Sequence, residues 1–157
     1  MARFDSALFK TNFAVGSLIY SDHYPGHEQH ARIVVFVAPE QNPDATIPMI
    51  VDTGAPWCIL NPELAEVWGL EPIGIYEPSR RINVRGHNFD GQLARGNILL
   101  QAKSGDNLYV QATFFIPELL PGESWNFPNF LGLDGFLNRI RFAVDPAENT
   151  FYFGPSY

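Results

Sequence analysis

Residues 48–60 read PMIVDTGAPWCIL, and this stretch carries the strongest structural signal in the chain. An apolar run is interrupted by Asp52-Thr53-Gly54-Ala55 and then resumes. Short apolar runs on both sides of a turn predict two buried strands. Glycine lets the backbone between them bend sharply and approach a facing segment. We therefore expect the Asp52 carboxylate to lie at the floor of a cleft, the alternative being that Asp52 only caps a turn.

The composition is that of a globular, mainly β domain. The chain has 157 residues, of which 46% are hydrophobic, and this is enough for one domain with its own core. Thirteen glycines and thirteen prolines, with many aromatic residues, favour short strands and turns over long helices. The formal net charge of −7 argues against a nucleic-acid partner, because phosphate binding needs a basic surface.

Cys58 is the only cysteine, which excludes an intrachain disulfide and a cysteine-rich zinc site and fits a reducing compartment. The apolar patch at residues 13–20 is too short to span a bilayer and lacks the pattern of a secretion signal. We therefore expect a cytoplasmic protein with no membrane partner. His23, His27 and His30 are loosely spaced in a polar segment, which indicates a solvated loop rather than a metal site.

Strands, hairpins and one clear helix are predicted for the rest of the chain. The helix begins at Pro62 with Asn61 as its N-cap, and Gly69 ends it. Alternating residues 80–100 predict a hairpin with a polar, glycine-bounded tip at residues 86–91. Further strands are expected at residues 31–38, 46–51, 57–60 and 107–118, and a closing hairpin around residues 145–146.

Four features, in order along the chain, resemble the retropepsins, the retroviral-type aspartic proteases. VDTGA, residues 51–55, is similar to their catalytic loop, and residues 81–100 look like the flap hairpin that closes over the substrate. FLG, residues 130–132, is similar to the second hallmark, a strand that crosses behind the catalytic loop. LDGFLNRI, residues 133–140, resembles the short helix that follows.

The resemblance implies a mainly β fold, a closed acid-protease-like β-barrel with one or two short helices. It assigns residues 31–157 to a retropepsin-like domain and leaves residues 1–30 as an N-terminal extension of unclear role. Because the chain has a single Asp-Thr-Gly, the second catalytic carboxylate must come from a second copy. The resemblance therefore implies a symmetric homodimer with the active site on its two-fold axis.

The implied function is aspartic endopeptidase activity on a peptide or protein substrate. Two Asp52 carboxylates share a proton and activate water between them, and Thr53 and Gly54 set the geometry of the catalytic loop. No metal and no organic cofactor is needed. The expected substrate contacts are Ala55 in the loop and Gly86, His87 and Phe89 in the flap.

Two departures from the viral pattern keep other interpretations open. Leu133 stands where many viral members have an arginine that ties the dimer together, and His87 and Phe89 make the expected flap tip bulky. A catalytically weak or inactive peptide- or partner-binding module is therefore the alternative, and an unrelated β-barrel is a third. The aromatic C-terminus, residues 149–157, is either an interface strand, as in viral dimers, or part of an internal hairpin.

Overall fold

A computed structural model of the chain describes residues 13–72 and 80–156. Within these residues the chain forms short strands, one α-helix and one turn of 3-10 helix, in the order β1 (Gly16–Ile19), β2 (Val34–Pro39), β3 (Ile47–Val51), β4 (Cys58–Ile59), α1 (Pro62–Trp68), β5 (Glu71–Pro72), β6 (Arg80–Val84), β7 (His87–Leu100), β8 (Ser104–Gly105), β9 (Leu108–Pro117), β10 (Phe130–Leu131), the 3-10 helix (Leu137–Arg139), β11 (Ile140–Asp145) and β12 (Thr150–Pro155). The mainly β architecture expected from the composition is confirmed.

Six strands close into a barrel. Their order is β2-β3-β10-β4-β9-β7, and β7 pairs back onto β2, where Val37 lies opposite Leu100. The pairs β3–β10 and β4–β9 are parallel, and the other pairs of this ring are antiparallel. A closed ring leaves none of the six strands as a free sheet edge over its paired length. The predicted acid-protease-like barrel is therefore observed.

A second sheet has the order β11-β12-β1-β8. The C-terminal strand β12 pairs with β11 along Ile140–Asp145 and, on its other edge, with β1 along Gly16–Ile19. Of the two alternatives for the C-terminus, the structure has the internal hairpin, because both edges of β12 are occupied within the chain. Strand β1 also brings part of the segment before residue 31 into the core, where Leu18 and Tyr20 are buried. The division of the chain at residue 30 stays a prediction.

Helix α1 forms where its local signals place it. The Asn61 side chain accepts a hydrogen bond from the Glu63 backbone N–H at 3.0 Å, and Pro62 occupies the first helical position. The helix ends at Gly69, whose φ of 63° lies in the left-handed region. Trp68 is buried and meets Phe114 of the barrel edge-on, at 6.2 Å between ring centroids. This contact fixes the helix against strand β9.

Strands β6 and β7 form the predicted hairpin, but the predicted tip is wrong. The chain turns at Arg85 and Gly86, and His87 to Asp90 belong to the returning strand. Both turn residues have positive φ, 50° and 86°, as in the two-residue turns that match strand twist. This register places Ile82 opposite Phe89 and so collects apolar side chains on one face.

The apolar side chains form two clusters. The larger fills the barrel and reaches the second sheet; its fully buried members include Phe114, Phe136, Phe151 and Phe153. The smaller cluster lies between the β6–β7 hairpin and the barrel, and its buried members are Tyr24, Val34, Ile50, Ile59, Ile82, Val84, Phe115 and Phe130. The hairpin is thus anchored by burial of its own apolar face. Among the described residues, no helix has the length and apolar character needed to cross a membrane.

Candidate active site

The loop that carries Asp52 connects β3 to β4, and we call residues 52–57 the Asp52 loop. It begins where β3 runs parallel to β10, and the Asp52 backbone N–H donates to the carbonyl of Leu131 at 3.0 Å. Within the loop, the Asp52 side chain accepts a hydrogen bond from the Gly54 N–H at 2.9 Å. The carboxylate is half-buried, so it is held in place and still reaches solvent. Strand β10 therefore crosses behind this loop, as predicted for residues 130–132.

Close backbone packing supports the other end of the Asp52 loop. The Leu133 N–H donates to the Ala55 carbonyl at 2.8 Å. Gly132 lies between them, and a Cβ at this position would overlap the Trp57 carbonyl and come within 2.9 Å of the Ala55 carbonyl oxygen. Only glycine allows this approach. Ala55 is buried, while Thr53 is exposed and its hydroxyl has no hydrogen-bond partner among residues 13–72 and 80–156.

A cleft of about 320 Å³ opens beside Asp52. One wall is the Asp52 loop, with Gly54, Ala55 and Pro56, and the facing wall is the hairpin. Among the described residues, the lining consists of Arg32, Ile50, Val51, Asp52, Gly54, Ala55, Pro56, Ile59, Ile82, Asn83, Val84, Arg85 and Phe130. This described part of the cleft has an apolar floor, a single carboxylate and two arginines. Its volume is that of a small ligand site.

The structure separates the candidate site residues into two groups. Asp52, Gly54 and Ala55 line the cleft together, and Thr53 lies in the same loop. Gly86, His87 and Phe89 are not among the lining residues; the hairpin reaches the cleft through residues 82–85 instead. The sequence pattern does not indicate that residues 82–85 line the cleft, because it predicts the hairpin tip at residues 86–91. Strand alternation alone marks Ile82 and Val84 as inward-facing, but nothing local indicates that Arg32 lies in the cleft.

Phe89 and His87 pack against a neighbouring loop. Phe89 meets Trp125 at 5.1 Å and Phe127 at 5.7 Å between ring centroids, and His87 lies 5.6 Å from Phe127. We call Phe89, Trp125 and Phe127 the aromatic cluster. The Trp125 indole N–H is buried and has no hydrogen-bond partner among the described residues. The cluster ties the hairpin to the segment before β10, and the role of Gly86, His87 and Phe89 in substrate binding stays a prediction.

Cys58 follows the Asp52 loop but is not a nucleophile candidate. Its side chain is fully buried, and burial raises the pKa of the thiol to about 12, with a small opposing effect of the Gly132 amide. Thiolates are the reactive form, so this cysteine is unreactive at neutral pH. It packs as a small apolar residue in the larger cluster. Within the part of the chain that the structure describes, no cluster of three or more histidine, cysteine or acidic side chains is arranged to hold a metal ion.

The fold is that of the retropepsin-like aspartic proteases, with a closed barrel, an Asp-Thr-Gly loop and a crossing strand behind it. The crystal structure of a retropepsin-like aspartic protease from Rickettsia conorii is similar to this chain with a TM-score of 0.53. The two chains are 15% identical, and the likeness covers 88% of this chain and 98% of the other. No protein-family model and no curated protein matches the sequence. At this identity the likeness establishes the fold.

Proposed function

We propose that this protein is an aspartic endopeptidase that hydrolyses peptide bonds as a homodimer. The observation that carries the proposal is the position of the Asp52 carboxylate. It lies on the wall of the cleft, held by the Gly54 N–H, and faces the β6–β7 hairpin across an apolar floor. A peptide bond entering this cleft in extended form meets a carboxylate at the point where water has to be activated.

A second copy of the chain completes the site. The described residues supply one carboxylate to the cleft, whereas the shared-proton chemistry needs two. Thr53 supports an approach of two such loops, because it is exposed beside Asp52 and its hydroxyl has no partner within the described residues. Leu133 lies next to the same loop and is 46% exposed, so an apolar contact is available where viral members place an arginine. A two-fold axis beside Asp52 brings these groups together with their copies.

The chemistry then follows from two carboxylates in close proximity. Like charges at short distance cannot both ionise, so one Asp52 is protonated while the other is ionised. The ionised carboxylate takes a proton from water as that water attacks the peptide carbonyl carbon. The protonated carboxyl donates a hydrogen bond to the carbonyl oxygen, which becomes the oxyanion of a tetrahedral intermediate. Proton transfer to the leaving amine breaks the C–N bond and restores the shared proton, with no acyl-enzyme.

Peptide-library cleavage between acidic and neutral pH tests the proposal. We expect the wild-type protein to cleave, with activity falling towards alkaline pH as the shared proton is lost, and we expect pepstatin to inhibit it. Asp52→Asn abolishes cleavage because the amide cannot take the proton. Asp134→Asn is the matched control, since Asp134 is exposed and outside the cleft lining. Cleavage that persists in the Asp52 variant overturns the assignment.

Subunit mixing tests the dimer. After exchange with an excess of Asp52→Asn protein, wild-type activity is expected to fall in proportion to the fraction of mixed dimers, each of which has one carboxylate. An equal excess of Asp134→Asn protein causes no such loss, because every mixed dimer then keeps both Asp52 carboxylates. Sedimentation that finds only monomer under assay conditions, with cleavage intact, contradicts the two-copy site.

A catalytically silent peptide-binding module is the second candidate, and one observation favours it. Ile82 and Val84 of the hairpin are buried in the same cluster as Ile50 and Phe130 of the cleft floor. A hairpin that rests on the floor must lift before a peptide enters, and such lids control turnover. This alternative is established if the protein is monomeric by sedimentation and binds peptides without cleaving any of them.

A further inference from the structure

The proposed hydrolysis uses the carboxylate of the cleft but not its other charged side chains. The chain as a whole is acidic, with a net charge of −7 and only ten lysines and arginines. Yet, of the residues that the structure describes, the ionisable side chains that line the cleft are Arg32, Asp52 and Arg85. The cleft thus has two cations for one carboxylate, against the balance of the whole protein. In a two-fold dimer both numbers double and the excess of positive charge remains.

Both arginines are free of carboxylate partners within residues 13–72 and 80–156. The Arg32 guanidinium donates to the backbone carbonyl of Ala31 at 2.8 Å and forms no ion pair. Arg85 is exposed at the turn of the hairpin and likewise forms none. Arg81 on the same hairpin differs, because it pairs with Asp90 at 2.8 Å. Each cleft arginine therefore has hydrogen-bond donors left for a ligand.

A smaller cavity of about 130 Å³ adjoins the cleft and shares Arg32, Ile50 and Arg85 with it. Its remaining lining residues include His27 and His30, whose imidazoles can also donate hydrogen bonds. The carboxylate of Glu28 is not among the lining residues and is already bound, accepting from the N–H of the lining residue Gly26 at 2.8 Å.

The carboxylate of Asp22 is also bound elsewhere and accepts from the Asn149 amide at 3.1 Å. Among the described residues, the lining of this recess therefore contains two arginines and two histidines and no carboxylate. A bound side chain that carries a negative charge meets arginine and histidine donors here, and the nearby Glu28 carboxylate is already bound to the Gly26 N–H.

We propose that Arg32 and Arg85 select peptides with an acidic side chain, aspartate or glutamate, close to the scissile bond. This inference rests on the proposed function for the location of that bond. Arginine is suited to the task because its planar guanidinium donates two parallel hydrogen bonds to a carboxylate. An uncharged or basic side chain at this position leaves the two guanidinium groups without an anion. Specificity is then the difference in affinity between peptides that have an acidic side chain here and peptides that do not.

The size of the cleft limits where the acidic residue lies. A volume of about 320 Å³ accommodates roughly two to three residues of extended chain, each of which advances about 3.3 Å. Asp52 and the arginines line this same space, so the acidic side chain belongs within two residues of the bond that is cut. Alternate side chains of an extended peptide point to opposite walls. We therefore expect the preference at one position on at least one side of the scissile bond rather than along the whole peptide.

The test compares two pools of octapeptides with a neutral fluorescent label. The two pools have the same mixed composition except at one fixed position, which is glutamate in one pool and glutamine in the other. The fixed position is moved along the peptide in successive pairs of pools. For each pair we measure cleavage by the wild-type protein and, by fluorescence anisotropy, binding to the Asp52→Asn protein. At one position we expect about a 10-fold preference for the glutamate pool in both measurements. The preference shrinks at high salt, which screens partly exposed charges.

Three variants connect the preference to the arginines. Arg32→Gln and Arg85→Gln each reduce the glutamate-to-glutamine ratio several-fold. Arg85→Lys retains only part of it, because it keeps the charge at the same turn but loses the paired donors of the guanidinium. Arg81→Gln removes the same charge from the outer part of the hairpin and is the matched control, with the ratio unchanged. Equal ratios for Arg32→Gln, Arg85→Gln and the wild type overturn the inference.

The two measurements separate this inference from the protease proposal. Cleavage without any preference for glutamate overturns the role of the arginines and leaves the protease standing. Glutamate-selective binding that depends on Arg32 and Arg85, without cleavage, supports their role in recognition and overturns the protease. The absence of both binding and cleavage for every pool overturns both.

Discussion

The backbone N–H of Leu133 donates to the carbonyl of Ala55 at 2.8 Å, and the Asp52 N–H donates to Leu131 at 3.0 Å. These two bonds hold the two ends of the Asp52 loop against one crossing segment, with Gly132 between them. The position of the carboxylate is therefore set by backbone contacts from a strand almost eighty residues further along the chain.

Gly132→Ala is expected to destabilise the fold by about 3 kcal/mol, because the new methyl group overlaps the Trp57 carbonyl and the backbone has to shift. Gly54→Ala is the matched control. Its Cβ meets only the Asp52 Oδ1, at 3.3 Å, so we expect a change in the free energy of unfolding below about 1 kcal/mol. Urea unfolding measures both. Equal stability of the two variants contradicts the close approach at Gly132.

Phe89→Ala distinguishes a structural anchor from a substrate contact. Removing the ring empties the centre of the aromatic cluster, and we expect a loss of about 2 kcal/mol in the free energy of unfolding. His87→Ala, at an exposed position on the same strand, is expected to change stability little. Thermal or urea unfolding measures the stability of both variants. An unchanged stability in Phe89→Ala, with weaker peptide binding, contradicts the anchoring role and supports the predicted direct contact of Phe89 with substrate.

Leu133→Asp tests the surface proposed for dimerisation. A carboxylate placed beside Ala55 on each copy faces its own equivalent across the two-fold axis, so desolvation and like-charge repulsion both oppose association. We expect the dimer dissociation constant to rise about 10-fold or more, measured by sedimentation. Val67→Asp introduces the same charge on helix α1, at a side chain that is 78% exposed, and leaves the constant unchanged. A dimer that tolerates Leu133→Asp associates through another surface.

Cys58 predicts a loss of stability at alkaline pH. Burial raises the thiol pKa from its usual 9.0 to about 12, so the folded state keeps its proton where the unfolded state loses it. The contribution of this group is fully present below pH 9 and is lost as the pH rises from 9 towards 12. Urea unfolding at a series of pH values measures the slope of the free energy of unfolding against pH. Cys58→Ala removes this part of the slope, and any slope left in that variant comes from other groups such as Tyr20, whose pKa is also raised by burial.

Local signals in the sequence were sufficient for helix α1 and for the Asp52 loop. Asn61, Pro62 and Gly69 act within a few residues of each other, so their capping roles are visible without any tertiary contact. The glycine-containing interruption of an apolar run likewise predicts a turn between buried strands, and the structure places β3 and β4 there. The resemblance to the retropepsins further predicted the crossing strand at Phe130–Leu131.

The hairpin register was not available from local signals. Gly86 and Gly91 are equally good turn residues, and alternation of apolar side chains fits more than one tip. Burial decided between them, because only the turn at Arg85 and Gly86 places Ile82 opposite Phe89 on the inner face. In this register His87 and Phe89 contact the rings of Trp125 and Phe127, and Arg85 lines the cleft.

The sequence by itself determined the class of fold, the helix and the loop that presents Asp52, because each depends on residues close together in the chain. Tertiary structure alone decided three relationships between distant segments. It paired β1 with the C-terminal strand, packed Gly132 against the Trp57 carbonyl, and brought Arg32 and Arg85 into the cleft of Asp52. Such relationships follow from closing the barrel and burying its apolar faces, a condition that no short stretch of sequence contains.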